Sequence, residues 1–345
     1  MIWNLNPEII EGLSIRWYGL IILLALFLEY NLVNYFLKKK AYQYHKQISE
    51  TLIIFIFIGA ALGARLTHVF FYDWEYYSQH LTEIFQPWQG GLASHGGALG
   101  ALIGIVSYIY FYGERHQIRL LPLLDVLAFP TLLVATMIRI GNFTNAEILG
   151  LPTGCDKGIV FCQDLRDAVT YSGQTNLVAA IEVEKDASKE IINGRMPLLV
   201  HWQLRSNNAE EINAIANFTQ KYYTNNIQLK EGKPQLTDQK KVIYTQEAYG
   251  ILRHPAQVYE ALYYFMLAIL ALYLTNRSGI KQGIVFSSCF FAVFTFRFLI
   301  EFIKENQMAT EIGKTLNIGQ VLSIPFILIF TVLLFYFINR KNTEL

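Results

Sequence analysis

The sequence predicts an all-α polytopic membrane protein, with seven transmembrane helices and a small α/β insertion between the fourth and the fifth. Three observations carry that prediction. The 345 residues are 53% hydrophobic and only 16% charged, and mean hydropathy is positive, which is too apolar for a soluble enzyme. Seven stretches are long enough, or nearly so, to cross about 30 Å of hydrocarbon as helices. A polar block of about 100 residues interrupts them near 151–253. The chain accordingly divides into residues 1–150 with four helices, the insertion 151–253, and residues 254–345 with three.

The seven stretches lie near 15–36, 51–72, 95–112, 119–139, 255–275, 283–303 and 318–339, with Gly and Pro interrupting the third and fourth. The insertion mixes short β-like runs (KGIVF, MPLLVHWQL, KKVIYTQ) with a helical-looking AEEINAIANFTQKYY, as a mixed α/β domain does. The opening MIWNLNPEIIEGLSI lacks a basic start followed by an apolar core, which argues against a cleavable signal peptide. A net charge of +1 gives no basis for nucleic-acid binding. Cys155, Cys162 and Cys289 do not have metal-ligand spacing.

Loop charges predict the orientation. Lys38, Lys39, Lys40 and Lys46 fill the first loop, Arg115 and Arg119 the third, Arg277 and Lys281 the fifth, and Arg340 and Lys341 follow the last helix. The loop at 73–94 has Asp73, Glu75 and Glu83 and no Lys or Arg. The positive-inside rule then puts the N-terminus and the insertion outside and the C-terminus inside. With that topology, Tyr18, His95, Arg139, Asn142, Tyr259, Glu260 and Gln320 fall near the outer ends of their helices. Arg65 and Arg297, on outward-running helices, lie about 20 Å up from the inner face. A cluster of Arg, His and Asn in the outer half of a membrane suits an anionic lipid headgroup.

The densest polar stretch is TLLVATMIRIGNFTNAEILG, Thr131 to Gly150. Its apolar first half ends a membrane-type helix, and Arg139, Asn142, Asn145 and Glu147 then follow between Gly141 and Gly150. Ionisable groups at such depth usually face a polar cavity or a partner. The alternative is a helix end where Arg139 snorkels and the asparagines turn the chain. WQGGLASHGGALGALIG, Trp88 to Gly104, sets His95 among glycines. Those glycines also suit close helix packing, and a lone His at a helix start also suits a solvated cap. Trp17 and Tyr18 fit an interfacial aromatic belt. Arg297 and Glu301, spaced i,i+4, fit a buried ion pair.

RIGNFTNAEILG resembles the signature of prolipoprotein diacylglyceryl transferases, G-R-x-G-N-F-x-N-x-E-x-x-G. Arg139, Gly141, Asn142, Phe143, Asn145, Glu147 and Gly150 match it in order, with Ile138 in place of the leading Gly. The HGG at His95 is similar to a family segment too. So are IRWYGL (Ile15 to Leu20), GARLTHVFFY (Gly63 to Tyr72), RHPAQVYEAL (Arg253 to Leu262), FRFLIEF (Phe296 to Phe302) and GQVLSIP (Gly319 to Pro325). The resemblance covers all seven helices and only the edges of the insertion. Where many members have Arg after the late Glu-Phe this chain has Lys304, and where some have Tyr four residues before the late Arg it has Val293.

The resemblance implies an enzyme of the bacterial cell inner membrane. It would transfer the diacylglyceryl group of phosphatidylglycerol to the lipobox cysteine of a prolipoprotein signal peptide, forming a thioether and releasing glycerol-1-phosphate. No cofactor and no metal are expected. His95 is the candidate base for the substrate thiol, and Arg139 and Arg297 the candidates for the departing phosphate. Tyr18, Arg65, Asn142, Asn145, Glu147, Gly150, Tyr259, Glu260, Glu301 and Gln320 complete the expected substrate site. Three rivals account for less of the sequence. A transporter or channel leaves the clustering at one leaflet unexplained. A metal-dependent phosphatidyl transferase would want an Asp-rich site, and the helices contain only Asp125. A receptor-like protein would use the membrane part as an anchor. Finally, Cys155 and Cys162, both in the outer insertion, are expected either to form a disulfide or to be two buried thiols.

Overall fold

The computed structural model describes residues 1–10, 13–86, 91, 93–205, 213–214, 218, 226–230, 243–306 and 315–340. Seven helices among them are long and apolar enough to cross a membrane. They are α1 (Trp17–Lys39), α2 (His45–Phe71), α3 (Ser94–Tyr112) and α4 (Leu120–Thr144), followed beyond the insertion by α6 (Ala256–Asn276), α7 (Ile284–Ile300) and α8 (Ile318–Asn339). The chain is a multi-pass membrane protein, and two boundaries depart from expectation by more than three residues. Helix α2 begins at His45, six residues before the apolar run, because a polar first turn costs nothing outside hydrocarbon. Helix α4 continues past Arg139 to Thr144, and Pro130 lies within it. Gly141 and Asn142 are therefore helical rather than a terminating turn.

The chain forms two compact units, each assembled from separate stretches. One comprises Ile22–Met137, Leu262–Leu299 and Lys314–Leu345, and thus holds most of the helical mass. Its tightest packing is between α2 and α3. A Cβ on Gly59 would run into the carbonyl of Gly100, one on Gly63 into that of Gly96, and one on Gly104 into that of Phe55. The glycines of the HGG stretch thus do what small residues do in membranes, bringing two backbones together. In the same unit the buried Asp125 carboxylate accepts the N–H groups of Gly283 (2.7 Å) and Phe286 (2.9 Å), satisfying the first turn of α7.

The other unit comprises Met1–Ile21, Ile138–Ala261 and Ile300–Gly313. Its centre is an antiparallel sheet of order β5-β6-β8-β7, where β5 is Val178–Lys185, β6 Arg195–Leu204, β7 Ile227–Leu229 and β8 Ile243–Ile251. Val200, Trp202, Leu198 and Tyr244 of the sheet bury against Leu165 and Val169 of helix α5 (Gln163–Tyr171). The expected runs in KGIVF, MPLLVHWQL and KKVIYTQ are β4 (Val160–Phe161), β6 and the start of β8. Most of the helix expected at AEEINAIANFTQKYY lies outside the described residues. Five strands were not foreseen: β5 and β7 of the sheet, β1 (Ile2–Trp3), paired in parallel with β4, and the hairpin β2 (Glu8–Ile10) with β3 (Leu13–Arg16). Strands of two to four residues are too short to show a period.

The Cys155–Cys162 bridge is not formed, and both are free thiols. Cys162 is buried in the core of the insertion at the start of α5, whereas Cys155 sits on an exposed turn with its Sγ 3.7 Å from the carbonyl of Lys157. One faces in and the other out, so neither alternative of the sequence reading holds for both.

Candidate active site

The predicted site residues fall into two groups, one in each unit. In the unit with the sheet, α4 ends at Thr144 and its last turns present Arg139 and Asn142 from one face. The Arg139 guanidinium donates through Nη1 to Asn142 Oδ1 at 3.3 Å and its Nε lies 3.4 Å from Glu260 Oε2. Asn142 Nδ2 in turn donates to Glu147 (3.4 Å), as does Asn145 Nδ2 (2.9 Å). Glu147 itself is exposed, on a turn where Ala146 (φ 53°) and Ile148 (φ 58°) both take left-handed backbone. Such strain in residues with a Cβ, costing about 1–3 kcal/mol each, concentrates at functional sites. Gln257 donates to the Glu147 carbonyl and holds that turn.

Two glycines of the signature are there for space. A Cβ on Gly141 would lie 2.6 Å from the Tyr18 ring, and one on Gly150 would meet the carbonyl of His254. Gly150 donates its N–H to that carbonyl (3.1 Å), and its own carbonyl accepts from Arg253 Nη1 (3.0 Å). The signature Phe143 has a scaffolding part, packing against Trp3 at 4.2 Å between centroids and Phe161 at 5.9 Å. Tyr259, more exposed, approaches His254 Nδ1 through its hydroxyl at 3.4 Å.

Sequence reasoning recorded Lys304 only as a departure, yet it is a hub. It is 3% exposed, with Nζ 3.0 Å from Glu260 and 3.2 Å from Glu301. Glu260 is fully buried between Lys304 and Arg139. The buried Arg253, also missed, spans both oxygens of Glu305 with a two-pronged contact at 3.1 and 3.2 Å. The sequence did carry a signal for both: charged residues hard against apolar helix ends, where burial forces pairing.

In the other unit, His95 is the second residue of α3 and 7% exposed. Arg297 Nε donates to its Nε2 at 3.3 Å. An arginine only donates, so that ring nitrogen faces it with a lone pair, as a base requires. Arg65 binds backbone oxygens. Its Nε donates to the Ile84 carbonyl (2.9 Å), Nη2 to that of Glu83 (2.5 Å) and Nη1 to that of Gly91 (3.4 Å), and it lies over the Tyr77 ring at 4.9 Å. It therefore clamps the segment joining α2 to α3. Gln320 completes a reciprocal capping box with Asn317 at the start of α8, its backbone N–H donating to Asn317 Oδ1 at 2.8 Å, and its Nε2 reaches the Phe298 carbonyl at 3.4 Å. The Asn-x-x-Gln spacing of a capping box was legible in the sequence.

Each group has a distinct chemical capacity. The first offers a buried arginine whose orientation is fixed by Asn142 and Glu260, which suits a phosphate or carboxylate. The second offers an imidazole nitrogen beside a guanidinium.

Comparison with known proteins gives these residues a family. The profile of the family described as prolipoprotein diacylglyceryl transferase matches residues 7–336. A phosphatidylglycerol–prolipoprotein diacylglyceryl transferase of Tolumonas auensis is 30% identical, covering 99% of either chain. The Bacteroides fragilis protein of that name is 29% identical over 99% of this chain and 97% of its own, and that of Chloroherpeton thalassium 27% identical over 99% and 96%. The chain belongs to the prolipoprotein diacylglyceryl transferase family.

Proposed function

We propose that this transferase moves the diacylglyceryl group of phosphatidylglycerol onto the lipobox cysteine of a prolipoprotein. The sulfur attacks the glycerol carbon that carries the phosphate, a C–S bond forms, the C–O bond breaks, and glycerol-1-phosphate leaves with the electron pair. The thiol proton passes to His95. The thiolate, not the thiol, is the nucleophile, and an imidazole within reach assists its ionisation. Arg297 and Arg139 take the charge that grows on the phosphate. Tyr18 and Asn142 serve as donors to the headgroup, and Asn145, Glu147 and Gly150 shape the turn beside them. Tyr259 lines the rim, and Glu260 and Glu301 hold the cations in place. Arg65 and Gln320 support the site through the backbone groups they bind.

The observation that carries this reading is the half-buried Arg297–His95 contact at 3.3 Å, a guanidinium beside an imidazole nitrogen that accepts. The test is direct: purified protein, labelled phosphatidylglycerol and a lipobox peptide. The reading expects a peptide mass gain equal to one diacylglyceryl group with stoichiometric release of glycerol phosphate. Lipid hydrolysis without peptide modification would overturn it.

The same reading places the enzyme in the cytoplasmic membrane with N-terminus and insertion outside and C-terminus inside, supported by Lys38, Lys39, Lys40, Arg277 and Lys281 in alternate loops. A cysteine introduced at position 210 should react with an impermeant reagent in intact spheroplasts, and cysteines at positions 39 and 115 should not.

A further inference from the structure

A cavity of about 720 Å³, counting its open mouth, lies among the membrane helices of the unit that holds His95. Its wall is made of five phenylalanines and aliphatic side chains. Phe294 stacks on Phe326 at 4.3 Å, and Phe290 leans on Phe330 at 5.7 Å. Among the described residues that line it, only Glu29 ionises, and no lysine, arginine or histidine faces it there. Glu29 is 6% exposed and hydrogen-bonded to Thr131 on the same wall. Neither residue has a part in the reaction above. A carboxyl buried at membrane depth without a cation is costly, and carboxyls kept there serve as counter-ions to a ligand or a partner.

Depth shows how a ligand would lie. Counted from the inner ends of α1, α4 and α7, Glu29, Thr131 and Phe294 share one level, about 15–17 Å up at 1.5 Å per residue. Arg297 is about one turn further out, where its Nε donates to His95. Phe290, Phe286 and Leu124 line the space deeper, so the apolar wall runs on beneath the carboxyl, by about 12 Å down to Phe286. An occupant whose polar end meets Glu29 therefore has room for an apolar tail below it.

We infer that this cavity is a binding site for an amphiphilic amine, with the ammonium on Glu29 and Thr131 and the alkyl tail among the phenylalanines. Charge complementarity selects that occupant. A protonated amine brings a positive charge and N–H donors, which a carboxylate oxygen and a threonine hydroxyl accept. An aromatic wall also suits a cation better than an aliphatic one does. An alcohol brings a donor without the charge, and a fatty acid sets a second carboxylate against the first. The site is separate from the proposed transfer chemistry, and the inference does not depend on that reaction.

The test uses the full chain in neutral-detergent micelles at neutral pH. Decylamine, decanol and decanoate are the probes, and each affinity is read from the ligand-induced shift of the unfolding midpoint. Decylamine is expected to bind about tenfold more tightly than decanol, and decanoate more weakly than decanol. Glu29→Gln keeps the shape and removes the charge. It should weaken decylamine by about tenfold and leave decanol near its wild-type affinity. If Glu29→Gln does not fold, the order of the three probes on the wild type decides alone. Decylamine binding no better than decanol, or binding undiminished by Glu29→Gln, overturns the inference. So does decanoate binding best, which would mean that Arg297 sets the charge of this space.

Discussion

Replacing Glu260 by Gln removes the anion between two buried cations. Lys304 Nζ is 3.0 Å and Arg139 Nε 3.4 Å from the Glu260 carboxylate. At those separations and an effective dielectric of about 20, each pair is worth about 5 kcal/mol before desolvation. Breaking such a pair from one side typically costs about 3–5 kcal/mol, because a charge stays buried without its partner. Here Asn142 still holds Arg139 and Glu301 still holds Lys304, which places the expected loss at the lower end, about 3 kcal/mol. The assay is reversible unfolding in mixed micelles, alongside turnover with a lipobox peptide. Turnover should fall about a hundredfold or more, because the Arg139 fork loses its fixed orientation. Lys304→Arg should keep most stability. Lys304→Met combined with Glu260→Gln should be less damaging than the sum of the two, by about 1 kcal/mol or more. A Glu260→Gln protein within about 0.5 kcal/mol of wild type, with normal turnover, would show that the cluster neither stabilises the unit nor orients Arg139.

Three further outcomes are expected. His95→Gln should lose about 10²–10⁴-fold in rate, and the deficit should shrink as pH rises towards the pKa of the thiol, since the sulfur then ionises unaided; a deficit constant with pH would make His95 a positioning residue. Arg139→Lys and Arg297→Lys should each insert normally and turn over poorly at low lipid concentration, because an ammonium lacks the planar fork; near wild-type rates would remove both from the headgroup. Maleimide at pH 8 should add once per native chain, at exposed Cys155: Cys162 and Cys289 are buried, and burial pushes the Cys162 thiol up to about 12, so it remains a thiol there. Labelling that requires prior reduction would restore the disulfide.

The helices were legible because hydrocarbon thickness imposes a length and backbone satisfaction imposes a helix, whatever the details of side chains. The signature at Arg139 to Gly150 was legible too, since it is contiguous and α4 carries its first residues on one face. The backbone contacts of Arg65 were not legible for a physical reason: its partners are the carbonyls of Glu83, Ile84 and Gly91, and backbone oxygens leave no mark in a sequence. Lys304 was undervalued because its partner Glu260 lies 44 residues away, across α6 and α7. Strand β5, VAAIEVEK, alternates only in its second half, and β1 is two residues long. In each case the missing information is a contact between distant stretches, while whatever depended on local spacing could be read.

The parallel pairing of Ile2–Trp3 with Val160–Phe161 has a consequence for the order of assembly on the ribosome. The unit that carries Arg139 takes its pieces from the start of the chain, its middle, and the stretch around Lys304. At roughly 5–20 residues per second, the first strand waits about 8–30 s for its partner, and Glu260 waits several seconds more for the lysine that neutralises it. During that interval α1 to α4 are already in the bilayer with an arginine whose companions have not been made. A slow stretch of codons ahead of residue 300 would lengthen this exposed state without altering a single contact of the finished enzyme.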